Sequence, residues 1–301
     1  MTQGQNHQRA SKVGPMLSSQ GARRQRLNNI LDAVGRALIA SGLLLLAFVG
    51  YQLWGTGLSE TRAQSDLGKQ FRSQPAALPV YGGIVGKIEI PSIDVDKWVV
   101  AGVGYKELER GPGLFAGSPL PGQLGNVAIA GHRTTFGAPF SRINEVADGD
   151  IIKMTTTKGT FTYIVKGAPK IVAASDVQVV KTTDKTRGIL TLVSCHPKWT
   201  SKQRIIVQAD LSSSVAAQPP TIFEPNTPET EVLNEGWFHD PSAWPGVIGL
   251  ALLLIGIVIG ASLIRKTGRS RWLVYPITFV IFVPILYIFF GYLTRLLPTN
   301  L

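Results

Sequence analysis

Three uncharged apolar runs, residues 37–57, 243–264 and 272–293, constrain this 301-residue chain more than any other feature. Each has the ~20 residues that a helix needs to cross the hydrocarbon of a bilayer, so each reads as a transmembrane helix. Pro276 and Pro284 bend the third helix without excluding it, and Trp272, Tyr275, Tyr287 and Tyr292 stand where interfacial aromatics belong. A cleaved signal peptide is the rival reading of the first run. That run is long for an h-region and no small-x-small site closes it, so it reads as an uncleaved anchor.

Charge orients these spans. The chain carries a formal net charge of +11, and most of that excess falls in two clusters: six Lys or Arg within residues 1–36, where Asp32 is the sole acid, and four within residues 265–271. Both clusters abut apolar runs, so membrane topology explains them, and no aromatic-interleaved basic motif points to nucleic acid. With both clusters inside, residues 1–36 form a basic cytoplasmic tail, 37–57 a span, 58–79 a polar stalk and 80–211 an extracytoplasmic domain. Residues 212–242, rich in Pro and acidic residues, read as an extended, poorly ordered linker. The chain returns through 243–264 to a basic cytoplasmic turn at 265–271, leaves through 272–293 and ends in a short tail at 294–301. This is a multi-pass plasma-membrane protein with its N-terminus in the cytoplasm.

The domain at 80–211 has roughly the size of one folding unit. It reads as all-β. Runs at 86–90, 97–103, 126–130, 150–155, 160–165, 170–173, 189–195 and from Arg204 alternate or are rich in β-branched residues, with Gly and Pro between them. About eight short strands separated by turns predict a closed or nearly closed β-barrel, with one short helix at 105–110.

Cys195 is the only cysteine, which excludes an internal disulfide. The run before it predicts a strand that stops at Pro197, and a second strand begins at Arg204. Paired as an antiparallel hairpin, the two strands place Cys195 and Arg204 nearly opposite and on one face. A permanent cation beside a thiol favours the thiolate and polarises a carbonyl under attack. The plain alternative is a small buried hydrophobe at the end of a strand. Only two histidines lie in this domain. His196 follows Cys195 directly and points to the other face, whereas His132, just past the strand at 126–130, is free to meet the thiol. A thiol, an imidazole and a guanidinium are the parts of a nucleophilic catalyst. The alternatives are a loop imidazole bonded to backbone and, for Arg204, a surface salt bridge to Glu145 or Asp150. Two His and one Cys without tight spacing argue against a metal site.

The string from Thr191 through Leu-Val-Ser to Cys195, followed by Arg204, resembles the signature of sortases, as do Gly131-His132-Arg133 and the Gly149-Asp150 turn. Sortases are membrane-anchored cysteine transpeptidases of Gram-positive cell envelopes. His196-Pro197, the Thr-Phe-Gly after His132-Arg133 and the stretch from Arg110 through Gly-Pro-Gly most resemble the actinobacterial class E group. The resemblance covers about residues 80–211 and implies an eight-stranded sortase β-barrel. It also implies that Cys195 attacks the Thr-Gly bond of a C-terminal sorting signal, Leu-(Ala or Pro)-x-Thr-Gly, to form a thioacyl enzyme. His132 would then act as general acid and base, and Arg204 would hold substrate and oxyanion. Phe136 and Ser194 are candidates for contact with the substrate. The acceptor would be an amino group of a cell-wall precursor, and no cofactor or metal is needed. Class E members favour Ala over Pro in the signal. Pilin-polymerising members carry an Asp-Pro-aromatic lid that residues 58–80 lack, which implies housekeeping anchoring. Two C-terminal spans depart from the class E pattern. A thiol peptidase with water as acceptor and a non-catalytic barrel receptor remain the alternatives.

Overall fold

The computed structural model describes residues 16–73, 79–212, 220–223, 240–267 and 270–297. They belong to two compact units, residues 1–49 and 50–301. The first unit is built on helix α1 (Met16–Gly50), where Asp32 and Arg36 pair one turn apart.

Among its described residues the second unit has nine strands: β1 (Ile84–Ile90), β2 (Val95–Ala101), β3 (Gly113–Leu114), β4 (Gly125–Ala130), β5 (Ile151–Thr156), β6 (Gly159–Val165), β7 (Lys170–Ala173), β8 (Gly188–His196) and β9 (Gln203–Leu211). Eight of them close a ring in the order β6-β5-β1-β2-β3-β4-β8-β9, completed by pairing of β9 with β6. The expected eight-stranded barrel is therefore present, and β7 is an addition to it. It pairs with the start of β9, Gln203 to Ile206, and β6 takes the end, Ala209 to Leu211. The one unforeseen ring strand is β3. Two residues next to Gly111 and Pro112 carry no period, yet they join β2 in parallel and β4 in antiparallel.

Alternation sorts each strand between two apolar clusters. Val127, Ile129, Leu190, Leu192, Ile205, Val207 and Ala209 fill the barrel with Ile88, Phe140, Met154 and Tyr163. Their neighbours Ala128, Ala130, Val193, Cys195 and Ile206 face outward and pack with Val103, Leu108 and Phe115, with Val172, Val179 and Val180 beside them. The thiol thus belongs to the outer face of the sheet.

Two segments expected to be loose are packed. The polar stretch after the first apolar run is helix α2 (Thr56–Ser73), whose buried residues Thr56, Glu60, Leu67 and Gly68 recur at helical spacing. Gln64 donates to the carbonyls of Trp98 and Arg110 and accepts from the Trp98 amide, while Glu60, 1% exposed, pairs with Lys97 at 2.6 Å. The first half of this face is polar and partnered, and only Leu67 and Phe71 in the second half are apolar, packing with Ile84, Val100 and Trp98, so the helix shows only a short apolar stripe. Within the proline-rich linker, Phe223 enters the barrel core and exchanges backbone hydrogen bonds with Gly117 and Ser118. The rest of the expected linker, residues 213–219 and 224–239, lies outside the described residues, as do residues 1–15 of the basic tail, 268–269 of the basic turn and 298–301 of the C-terminal tail.

The short helix expected at 105–110 is α3 (Tyr105–Leu108). Helices α4 (Trp244–Lys266) and α5 (Arg271–Thr294) pack against each other, and α5 contains both Pro276 and Pro284. Among the described residues, three helices, spanning Arg23–Ser73, Pro241–Lys266 and Trp272–Thr294, are long and apolar enough to cross a membrane. Just beyond them, Arg295 pairs with Asp240 and lies over the ring of Tyr292.

Candidate active site

Strand register brings the thiol and its cation together. β8 and β9 pair without a bulge from Ile189–Asp210 to His196–Gln203, and Cys195 is opposite Arg204. Arg204 Nη1 lies 3.9 Å from Cys195 Sγ and donates to the carbonyls of Ser201 and Gln203 at 2.9 and 3.2 Å. It is 5% exposed and makes neither surface salt bridge considered for it: Glu145 pairs with Arg142, and Asp150 accepts from the Ala147 amide.

The imidazole arrives from the other side. β4 runs parallel to β8 with Ala130 aligned on Val193, so His132 and Cys195 are each two residues past the last aligned pair. Two bonds carry the alignment past the strand ends: the Gly131 amide donates to Val193 O at 3.1 Å, and Ser194 Oγ donates to Gly131 O at 2.7 Å. The strand of the thiol thereby lies between the strand whose end leads to His132 and the strand that carries Arg204. His132 is 4% and Cys195 2% exposed.

Burial decides the resting state of the thiol. Desolvation pushes Cys195 up to about 11, against the pull of Arg204 and Arg133 in the other direction. At neutral pH the resting thiol is protonated, and attack on a carbonyl requires that its proton be taken.

Arg133, which the sequence shows in a motif but without a role, also lies beside the thiol's strand. It is buried and forked: Nη1 donates to Cys195 O at 3.0 Å and lies 3.3 Å from His196 Nδ1, and Nη2 donates to Asn144 Oδ1 at 2.7 Å. Burial draws its pKa down and the nearby thiol works against that shift. The signal of a role is its position one residue past the strand-end imidazole.

Of the two further candidates, Ser194 faces away from Cys195, its hydroxyl committed to Gly131 O, and ties β8 to β4 instead of lining the outer face. Phe136 packs beside the imidazole, ring centroids 5.2 Å apart and planes 34° from parallel, with Tyr105 edge-on to it at 6.4 Å. Its backbone is unusual. Phe136, Gly137 and Ala138 take φ of 49°, 71° and 42°, three successive left-handed residues of which two carry a Cβ. Such residues cost on the order of 1–2 kcal/mol each and persist only when the surroundings hold them. A Cβ on Gly137 would come within 2.5 Å of the Glu60 carboxylate, so only glycine lets α2 approach this closely.

Residues 88–212 match the Sortase domain family model. Sortase SrtE1 of Streptomyces coelicolor is 32% identical over 197 residues, 58% of this chain and 55% of the relative. The chain carries a sortase domain at residues 88–212. Sortase D of Bacillus subtilis is similar to its sortase domain and flanks at 29% identity over 177 residues, covering 53% of this chain and 86% of that protein. The solved structure of sortase E from Streptomyces avermitilis is 31% identical and covers 50% of this chain and 98% of that one, with a TM-score of 0.40. The chain thus spans about half the length of SrtE1 and most of the others.

Proposed function

We propose that this chain is a membrane-anchored cysteine transpeptidase. It cleaves the Thr-Gly bond of a C-terminal sorting signal through a thioacyl intermediate and transfers the protein to an amino group of a cell-wall precursor. The observation that carries this reading is the strand of Cys195 between the strand that leads to His132 and the strand that carries Arg204, with Arg204 Nη1 3.9 Å from the sulfur.

The chemistry follows from the parts. His132 takes the Cys195 proton as the sulfur attacks the threonine carbonyl, which overcomes the thiol's raised pKa. Arg204 offers N–H donors to the oxyanion that forms. The C–N bond breaks as His132 returns the proton to the departing glycine amine, and a thioester remains. An incoming amine gives its proton to His132 and attacks that carbonyl; the C–S bond breaks and the thiol is restored. The signal is of the Leu-Ala-x-Thr-Gly type and the role is housekeeping anchoring, as the class E likeness implies. The N-terminus is cytoplasmic and the barrel extracytoplasmic, because both basic clusters then lie inside.

The test uses the full chain in lipid nanodiscs with fluorogenic Leu-Ala-x-Thr-Gly and Leu-Pro-x-Thr-Gly peptides, with and without an amine acceptor. Ligated product that requires the amine and vanishes in Cys195→Ala is expected. Hydrolysis indifferent to the amine would mean a thiol peptidase, and no thiol-dependent turnover would mean a non-catalytic barrel.

A further inference from the structure

We propose that the C-terminal membrane helix α5 positions the catalytic imidazole, through a chain of hydrogen bonds that crosses the start of α2. The path begins at Thr294, the last residue of α5, and every step in it is a direct contact. Gln52 Nε2 donates to Thr294 Oγ1 at 2.9 Å. Thr56 Oγ1, one turn beyond Gln52, donates to Gln52 O at 2.9 Å and accepts the Phe136 amide at 3.1 Å. The Phe136 ring packs against His132.

The direction of these bonds is fixed by proton count. A hydroxyl has one proton. Thr56 commits its proton to Gln52 O, so toward Phe136 it offers only a lone pair, and the sole polar partner that suits it there is an N–H. Thr294 likewise spends its proton on Phe290 O at 2.8 Å and turns a lone pair to Gln52. Thr56 is wholly buried, so water does not replace either bond. Further contacts hold α5 at this place: Tyr287 donates to Gly55 O at 3.0 Å, and Tyr51 lies edge-on to the Tyr287 ring at 5.1 Å and tilted against Phe290 at 5.6 Å.

The segment so held needs an outside grip. Its three left-handed residues follow His132 by four to six positions, and the Phe140 amide closes the turn on His132 O at 3.1 Å. A shift at Phe136 therefore moves the base of the imidazole. Thr56, Gln52 and Thr294 touch neither the sulfur nor a substrate path; they are positioning residues. This gives the two C-terminal spans a catalytic purpose beyond attachment, and it rests on the role proposed above for His132.

The experiment compares the full chain in nanodiscs with Thr56→Val, Thr56→Ser and Thr294→Val, each read two ways. Hydrogen exchange of the amides in residues 132–140 is expected to quicken about tenfold in Thr56→Val and Thr294→Val while β4 and β8 keep their protection. Peptide turnover is expected to lose about tenfold in kcat with KM within about twofold, because misplacing a catalytic group acts on the chemical step. Thr56→Ser retains the hydroxyl and should match the unaltered chain in both. The double variant Thr56→Val/Thr294→Val should be no worse than Thr56→Val alone, since both cut one path. Unchanged exchange in Thr294→Val, or loss of protection spread over the barrel, would overturn the connection to α5. Faster exchange with unchanged kcat would overturn its catalytic purpose. The exchange readout needs no turnover, so a failure of the peptide chemistry and a failure of this connection are told apart.

Discussion

The β8–β9 hairpin and the segment from Gly131 to Phe140 each deliver one partner to the thiol, and they are held in opposite ways. Cys195 and Arg204 sit within a continuous ladder whose inner residues fill the barrel, so their spacing is set by register alone. His132 stands beyond the end of β4, on a turn with three left-handed residues whose conformation depends on Thr56 and Glu60 of another element. The thiol and its cation are thus set by the ladder itself, whereas the imidazole is held by contacts from α2.

Substitutions on the ladder side should be severe and local. Arg204→Ala is expected to lower kcat/KM by about 10²–10³-fold, the range for loss of an oxyanion donor, and Arg204→Lys should not restore it because the fork is gone. The same change removes the largest influence opposing the rise in the thiol's pKa. Since the raised value favours the neutral thiol, alkylation of Cys195 by iodoacetamide should climb about tenfold per pH unit from neutrality towards pH 10 without a plateau. In Arg204→Ala the curve should move to still higher pH. A plateau near pH 8 in the unaltered chain would contradict the burial argument.

Arg133→Met should act on both sides, because it leaves Asn144 Oδ1 and Cys195 O without their donor. Thermal or denaturant unfolding should show a loss of about 2–4 kcal/mol, the cost of orphaning buried partners of a charged group. Ser194→Ala should be the mildest, about 1 kcal/mol in stability for one buried hydrogen bond, with KM for the peptide unchanged. A raised KM would return Ser194 to the substrate face.

Where the backbone obeys a period, the sequence was a sufficient guide. Alternation in residues 189–195 and from Arg204 onwards led directly to the Cys195–Arg204 pair, and the end of the apolar run at Ala130 led to His132. Illegible were features with no period or with polar partners supplied from afar. The first half of helix α2 docks through Thr56, Glu60 and Gln64, residues that read as solvent-facing until Lys97, Trp98 and Arg110 are seen beside them, and only Leu67 and Phe71 add apolar contacts. Arg133 stands in a motif without a role until Asn144, eleven residues on, folds back to it. Phe223 lies in a proline-rich stretch whose composition says linker, yet its ring finds the barrel.

Intact-mass spectrometry of the full chain mixed with a sorting peptide, quenched in acid before an amine is added, tests the central claim most directly. The account predicts an adduct of the acyl fragment on Cys195 that is labile to hydroxylamine, disappears when the amine is supplied and is absent in Cys195→Ala. Cleaved peptide with no adduct, or an adduct that persists in Cys195→Ala, would contradict it.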